Sequence, residues 1–387
     1  MKKVGLSVCY DTRNFGSQLQ VFATVKKIES FDYKTEIIVY KKMVTPKFVL
    51  QTIPRLFNPY FLKSKIGGKS VAKELQKYPE LYEGYKLRVQ RFDDFVFRNF
   101  TNLSKPNEGW ENLVKQANAN YDIFLCGSDQ LWLPSNLGSH FYTLEYVIDN
   151  KPKIAYATSF GVSEIPWFQR KSTSKYLNRF THLSSRENAG SEIIKKLTGR
   201  KAEVVCDPTM LISREEWDKF VPEKREILED YIFCYFLGTN EEHRRIADEL
   251  RRQTGLKIVS VPFLDNFVNE DREFGDIKLF NIDAFDFINI INNATYILTD
   301  SFHGSVFSVL YHKKFITMNR FSGGKNSRNS RIDTLCNSLG LEKRRYSVQD
   351  SILDQIQADI DYASVDNRLN EIRKEAENYL KNALEGK

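Results

Sequence analysis

A chain of 387 residues with 41% hydrophobic, 28% charged and 13% aromatic side chains can bury a large core, which excludes a mainly disordered protein. No uninterrupted apolar run reaches the roughly 18 residues of a membrane span, and the short apolar stretch behind Met1-Lys2-Lys3 is halted by Asp11, so it reads as a buried strand in a cytoplasmic protein rather than a signal peptide. The formal charge of +7 is local: residues 41–91 hold twelve Lys or Arg against three acids, an excess of +9, and that confinement without a recognition motif argues against nucleic-acid binding.

In chain order, short β-rich runs alternate with amphipathic stretches. The first half predicts strands at 3–10, 36–40, 122–126, 153–158, 182–185 and 203–206, with helices over 16–30, 167–180 and 190–197. Beyond Asp207-Pro208, Ser213-Arg-Glu-Glu-Trp carries a capping pattern whose serine oxygen can accept an orphan amide. A second series follows, with strands at 231–236, 257–261, 296–299 and 315–318 and helices over 241–252, 284–292 and 304–311. Such alternation implies parallel sheets flanked by helices, and the unbroken apolar runs at 123–126 and 232–236 suit strands buried on both sides.

Two stretches fall outside the alternation. Residues 45–104 are long, basic and helical in pattern; residues 364–385 form a polar amphipathic helix with Ser364 placed to cap it. The expected architecture is α/β with two lobes, 1–207 with a helical insertion over about 45–104, and 208–348, followed by a helical segment at 349–387 that packs back across both. The five cysteines form no CxxC pair and read as small buried hydrophobes in a reducing compartment; no His/Cys cluster has zinc spacing, so no metal is expected. Gly67-Gly-Lys-Ser resembles the end of a phosphate loop, but Lys63 stands where its first glycine belongs.

In open parallel sheets, ligands bind beyond the carboxyl ends of the strands. Loops rich in glycine and polar residues stand at several such ends: Asn14, Gly16 and Gln18 after the first strand, Ser128, Asp129 and Gln130 after the run ending at Cys126, Ser159 after Thr158, and Arg186 after Ser185. The sharpest is Thr299-Asp-Ser-Phe-His-Gly. Gly304 opens a helix there, so His303 lies at a helix N-terminus, where free amides and the dipole draw anions. The dipole favours its neutral form in an empty site, and a bound anion favours the charged form, so a ligand could load the ring with a proton. Thr, Asp, Ser and His are also ordinary capping residues, Arg186 could be a surface ion pair, and Asp129 with Gln130 could orient a sugar hydroxyl or cap a helix.

Taken in order, these loops resemble the polysaccharide pyruvyltransferase family. The matching pieces are Asn14-Phe-Gly-Ser-Gln-Leu-Gln, Phe124-Leu-Cys-Gly-Ser-Asp-Gln-Leu-Trp, Ala155-Tyr-Ala-Thr-Ser-Phe-Gly, Ser185-Arg-Glu, Asp207-Pro-Thr-Met-Leu, Thr299-Asp-Ser-Phe-His-Gly and a stretch ending in Ser330-Arg-Ile. The resemblance implies two Rossmann-like lobes in a glycosyltransferase-B-like fold with the site in the cleft. It implies transfer of a pyruvyl group from phosphoenolpyruvate, as donor substrate with no further cofactor, to two hydroxyls of a sugar, forming a cyclic ketal in capsule or exopolysaccharide assembly. His303 then serves as donor-binding acid, and Arg186, Ser301, Phe302 and Gly304 bind the donor. Asn14, Gly16, Gln18, Ser128, Asp129, Gln130 and Ser159 face the acceptor or cleft. Family members with Arg-Leu-His differ from Ser301-Phe302-His303 here, so an arginine is absent at position 301 and Arg331 is expected to supply its charge, with Arg328 the spare. The alternatives are a glycosyltransferase using a nucleotide sugar on the same fold and a non-catalytic carbohydrate-binding relative.

The basic insertion adds a further expectation. Phe48, Leu50, Ile53, Phe57 and Phe61 recur at helical spacing among Lys41, Lys42, Lys47, Arg55, Lys63 and Lys65. Such a stripe could lie peripherally on the inner face of the plasma membrane, bringing a lipid-linked oligosaccharide acceptor within reach. The other reading is a helix packed on lobe one with its lysines in water.

Overall fold

In the computed structural model, which describes residues 1–43, 71–135, 140–263, 267–320 and 329–387, two separate parallel sheets carry the chain. The first sheet is built from β1 (Lys3–Ser7), β2 (Lys34–Ile37), β5 (Ile123–Cys126), β6 (Lys153–Thr158), β7 (His182–Ser185) and β8 (Glu203–Val204), in the order β2-β1-β5-β6-β7-β8. A short pair, β3 (Tyr40–Lys41) and β4 (Asn107–Glu108), lies apart from it. The second sheet holds β9 (Tyr231–Tyr235), β10 (Lys257–Ser260), β11 (Ile277–Lys278), β12 (Tyr296–Thr299) and β13 (Lys314–Thr317), in the order β11-β10-β9-β12-β13. Each sheet starts at an inner strand and builds outward on both sides, so strand order reverses at β1/β5 and at β9/β12. Those are the switch points where α/β sheets bind ligands.

Four helices shape the region between the lobes: α1 (Phe15–Glu29), α2 (Pro79–Asn99), α3 (Phe302–Leu310) and α4 (Tyr362–Glu385). All but two of the fifteen α1 residues are buried, because its faces meet both lobes. Phe15 stacks on Phe287 at 5.0 Å, and Phe22 meets Phe285 edge-on at 5.2 Å, so aromatic rings of lobe one enter the core of lobe two. One apolar cluster therefore runs from Val4 and Leu6 through α1 to Phe287 and Phe307.

The described part of the insertion does not stay on lobe one. From α2, Arg91 pairs with Asp286 at 3.0 Å and Arg98 with Asp283 at 2.8 Å, while Arg88 Nη1 donates to the Pro262 carbonyl at 2.6 Å. Part of the local positive charge thus meets acids of lobe two. The apolar stripe at 48–61 lies outside the described residues, as do Lys47, Lys63 and Lys65. Helix α4 starts against lobe two, where the Tyr362 hydroxyl donates to the Lys313 carbonyl. It ends on lobe one, where the Tyr379 hydroxyl donates to the Ala155 carbonyl at 2.8 Å and Lys27 pairs with Glu377. Its cap is Asp361, whose carboxylate accepts the Ser364 amide at 3.1 Å; Ser364 was expected in that role but lies inside the first turn.

A helix over Trp110–Asn120 was missed from the sequence because Gly109 precedes it with φ +79° and no side chain caps it, leaving no start signal. All five cysteines are free and buried. Among the described residues no helix is long and apolar enough to cross a membrane.

Candidate active site

The loops after β5, β7 and β12 converge on one buried carboxylate, and those after β1 and β6 join the same network through Asp129 and Glu187. Asp207 is fully buried, and its Oδ1 accepts from the Thr209 amide at 3.0 Å and hydroxyl at 2.7 Å. Its Oδ2 accepts from Arg186 Nη1 at 2.6 Å and from Ser128 Oγ at 2.8 Å, and lies 3.6 Å from His303 Nε2. That last separation is an ionic contact rather than a hydrogen bond, and Nε2 is otherwise sealed and unpartnered. Burial by itself would push the Asp207 carboxyl up. The charge of His303, then the charge of Arg186, reverse this and hold it far below the usual range.

Asp129 continues the network one strand over. Its Oδ2 accepts from Ser17 Oγ at 2.5 Å, and its Oδ1 lies 3.5 Å from Arg186 Nη2. Against its own desolvation, Arg186 and His303 keep it below the ordinary carboxylate value. For Arg186, burial opposes the charge, but Asp207, Asp129 and Glu187 more than compensate and its pKa rises. Two non-glycine residues here adopt left-handed backbone, Asp129 at φ +82° and Ala157 at φ +51°, the latter where the β6–β7 register breaks. Strain of this kind costs about 1–3 kcal/mol per residue and gathers at functional sites.

Lobe two supplies the other half. Ser301 caps α3 by accepting the Gly304 amide at 3.3 Å, which places Phe302 and His303 in the first turn. The Phe302 ring lies under Arg186 at 4.6 Å and near Arg331 at 5.9 Å, and meets His303 edge-on at 5.2 Å. His303 also packs on Gly16 of α1, where a Cβ would stand 2.0 Å from Nδ1. The imidazole, the phenyl ring and both guanidiniums are thus brought together across the lobe boundary, at 6%, 5%, 3% and 9% exposure. From the sequence only the helix start was visible at His303; the fold adds a buried carboxylate at 3.6 Å.

Arg331 differs from Arg186. Among the described residues its guanidinium has no carboxylate partner, and its buried Nε makes no hydrogen bond. Desolvation, followed by repulsion from Arg186, pulls its pKa down to about 9. A cation held this way favours an anion arriving from outside the chain. Arg328 lies outside the described residues.

The remaining expected residues lie around this centre. Asn14 caps α1 by accepting the Ser17 amide at 3.1 Å. Gln18 is turned to α2, its Nε2 donating to the Phe92 carbonyl at 3.0 Å while its Oε1 stays unpartnered. Gln130 covers Gly161, and Ser159 donates to Glu187 at 2.8 Å. Three participants were not singled out from the sequence: Asp207, Ser17 and Glu187. All three stand inside the matched motifs, and Glu187, fully buried with Oε2 unpartnered, follows Arg186 directly. Composition gave no signal for them, because their partners are distant in the chain. Among the described residues no group of three or more His, Cys, Asp and Glu could hold a metal ion.

The family model described as polysaccharide pyruvyl transferase matches residues 14–321. Comparison with curated proteins gave no match. Similar solved structures include a UDP-N-acetylglucosamine 2-epimerase, described as putative, from Listeria monocytogenes, at 11% identity and TM-score 0.52, covering 99% of this chain and 95% of that one. A mutant O-GlcNAc transferase from Thermobaculum terrenum gives 9% identity and TM-score 0.49 over 99% and 66% of the two chains, and the E. coli heptosyltransferase WaaC with ADP 11% and 0.36 over 85% and 96%. At such identity the epimerase likeness speaks for the fold alone, the two-lobed glycosyltransferase-B architecture.

Proposed function

Since the chain belongs to the polysaccharide pyruvyl transferase family, we propose that it moves a pyruvyl group from phosphoenolpyruvate to two hydroxyls of one sugar, closing a cyclic ketal and releasing phosphate. The observation that carries this reading is the meeting of His303 with Arg186 and Arg331 around Phe302, three cation-capable groups from two lobes at one point. Phosphoenolpyruvate is a compact, multiply charged anion, and the unpaired guanidinium of Arg331 and the start of α3 suit it.

In this mechanism His303 gives its proton to the methylene carbon of the donor, and the adjacent carbon, now electron-poor, takes the first sugar hydroxyl. Phosphate leaves with its bonding electron pair, and the second hydroxyl closes the ketal. Of the two hydroxyl protons, one restores the imidazolium and one departs on hydrogen phosphate. Asp207 holds the ring in place through Nε2 and stabilises its charge. Asp129, fixed by Ser17 and Arg186, is placed to orient a sugar hydroxyl.

The test is to incubate the protein with phosphoenolpyruvate and bacterial glycan acceptors, following phosphate release and the mass of the product. We expect phosphate release to depend on acceptor, and His303→Gln to lower kcat by about 10²–10⁴-fold. Turnover of nucleotide sugars with phosphoenolpyruvate inert would replace this reading with glycosyl transfer.

We also propose that the acceptor is a lipid-linked oligosaccharide used in capsule or exopolysaccharide assembly on the cytoplasmic face of the membrane. The support is the sequence of residues 41–91, where apolar side chains recur at helical spacing among cations. Wild type should sediment with anionic liposomes in a salt-sensitive way, and Phe57→Asp should weaken this. Equal, salt-insensitive partitioning of the two would end the membrane proposal.

A further inference from the structure

A second cavity of about 290 Å³ opens beside the charged centre, between α1, α2 and the carboxyl ends of β9 and β10. Its walls are the rings of Phe15, Phe92, Tyr235, Tyr85 and Phe263, with Leu237 among them. Phe15 and Phe92 are fixed by core packing at 4.8 Å from each other, whereas Tyr85, Phe263 and Leu237 are only half-buried and form the mouth. Two polar residues, Arg13 and Asn14, stand at the rim. The cavity and the charged centre share one piece of backbone: Asn14 and Phe15 line the cavity, and Gly16 touches the His303 ring. Only Phe15 separates Asn14 from Gly16, two Cα–Cα steps of about 3.8 Å each.

The charges around this cavity are already engaged within the protein. Arg88 Nη1 donates to the Pro262 carbonyl and Nη2 to that of Leu279, and Arg13 pairs with Asp93 at 3.5 Å. Arg186 and Arg331 sit on Phe302 and do not line it. The walls therefore suit a neutral ligand with a flat apolar face and a polar edge, and do not suit a diphosphate. The volume is at the small end for ligand pockets, whose range starts near about 300 Å³, so it holds one ring rather than a nucleotide sugar.

We propose that this aromatic cavity binds a sugar ring of the acceptor, the residue next to the one that receives the pyruvyl group. The assignment rests on the transfer reaction proposed above, and it makes the acceptor at least a disaccharide. The pyranose C–H face lies on the Tyr85 and Phe263 rings, and its hydroxyls reach Arg13, Asn14 and the Tyr85 hydroxyl.

The test uses lactose, methyl β-galactoside and uridine monophosphate as probes, by saturation-transfer NMR and titration calorimetry on the full chain. Lactose should bind, and Tyr85→Ala and Phe263→Ala should each weaken it by about tenfold, with Tyr85→Phe retaining most of the affinity. The thermal shift given by phosphoenolpyruvate should be the same in all three variants. Sugar binding indifferent to both alanine variants, no sugar binding at all, or Tyr85-dependent binding of uridine monophosphate instead would each overturn the proposal. If phosphoenolpyruvate fails to shift wild type while lactose binding still depends on Tyr85, the donor assignment falls and the sugar cavity stands.

Discussion

Arg331 is a buried guanidinium that no carboxylate reaches among the described residues, and this sets its stability and its function against each other. Folding strips water from the charge, and the attraction of the nearby Asp129 and Glu187 offsets this only in part, which destabilises the unliganded protein. Arg331→Met should therefore leave the unliganded melting temperature unchanged or higher. The same variant should lose the stabilisation by phosphoenolpyruvate, which in wild type reaches about 2.7 kcal/mol at a hundredfold excess over Kd. Burial and repulsion from Arg186 pull its pKa down to about 9, so the folded site holds this charge less readily than the unfolded chain does. A phosphoenolpyruvate shift that survives in Arg331→Met would remove this residue from the donor site. The resemblance implied that an arginine is absent at position 301 and pointed to Arg331 as the replacement; that Arg331 stands over the same ring as Arg186 needed the tertiary structure.

At the scale of elements, α1 and α3 must approach within the width of a glycine. A Cβ at Gly16 would lie 2.0 Å from His303 Nδ1 and 2.6 Å from its Cβ, so the conflict is not with a flexible side-chain tip and one helix has to yield. Gly16→Ala should lower kcat by about 10²-fold through a displaced imidazole, the size expected for a misplacement near 1 Å. KM for the donor should change much less, because Arg186 and Arg331 do not touch Gly16. An unchanged kcat in this variant would mean that the ring position does not govern the rate. The glycine stood in a motif in the sequence, but the contact that requires it joins residues from opposite lobes. Similarly, α2 was legible as a helix and its basic character was plain, yet its pairing with Asp283 and Asp286 followed only from where lobe two sits.

For the whole molecule, Asp207 is the joint. It binds Arg186 and Ser128 of lobe one and faces His303 of lobe two, so its charge ties the halves together. Asp207→Asn leaves Arg186 without its 2.6 Å partner and should cost about 3–5 kcal/mol in urea unfolding at pH 7. Asp207 and Asp129 are both held below their ordinary carboxylate values, so the stability they give is present above about pH 4 and is lost as pH falls toward their folded values. Wild type should lose stability steeply on acidification and Asp207→Asn less steeply; parallel curves would show that the network does not govern acid unfolding. The alternation of strands and helices, the parallel sheets, the motif loops and the central histidine were all set by local pattern, because propensity, hydrophobic period and turn chemistry act over a few residues. Strand order, the meeting of Asp207 with Ser128 from 79 residues away, and the shared ring under two guanidiniums were decided only in three dimensions. The net strength of a buried ion pair is attraction set against the cost of desolvation, and both depend on everything packed around the pair rather than on either residue in the chain.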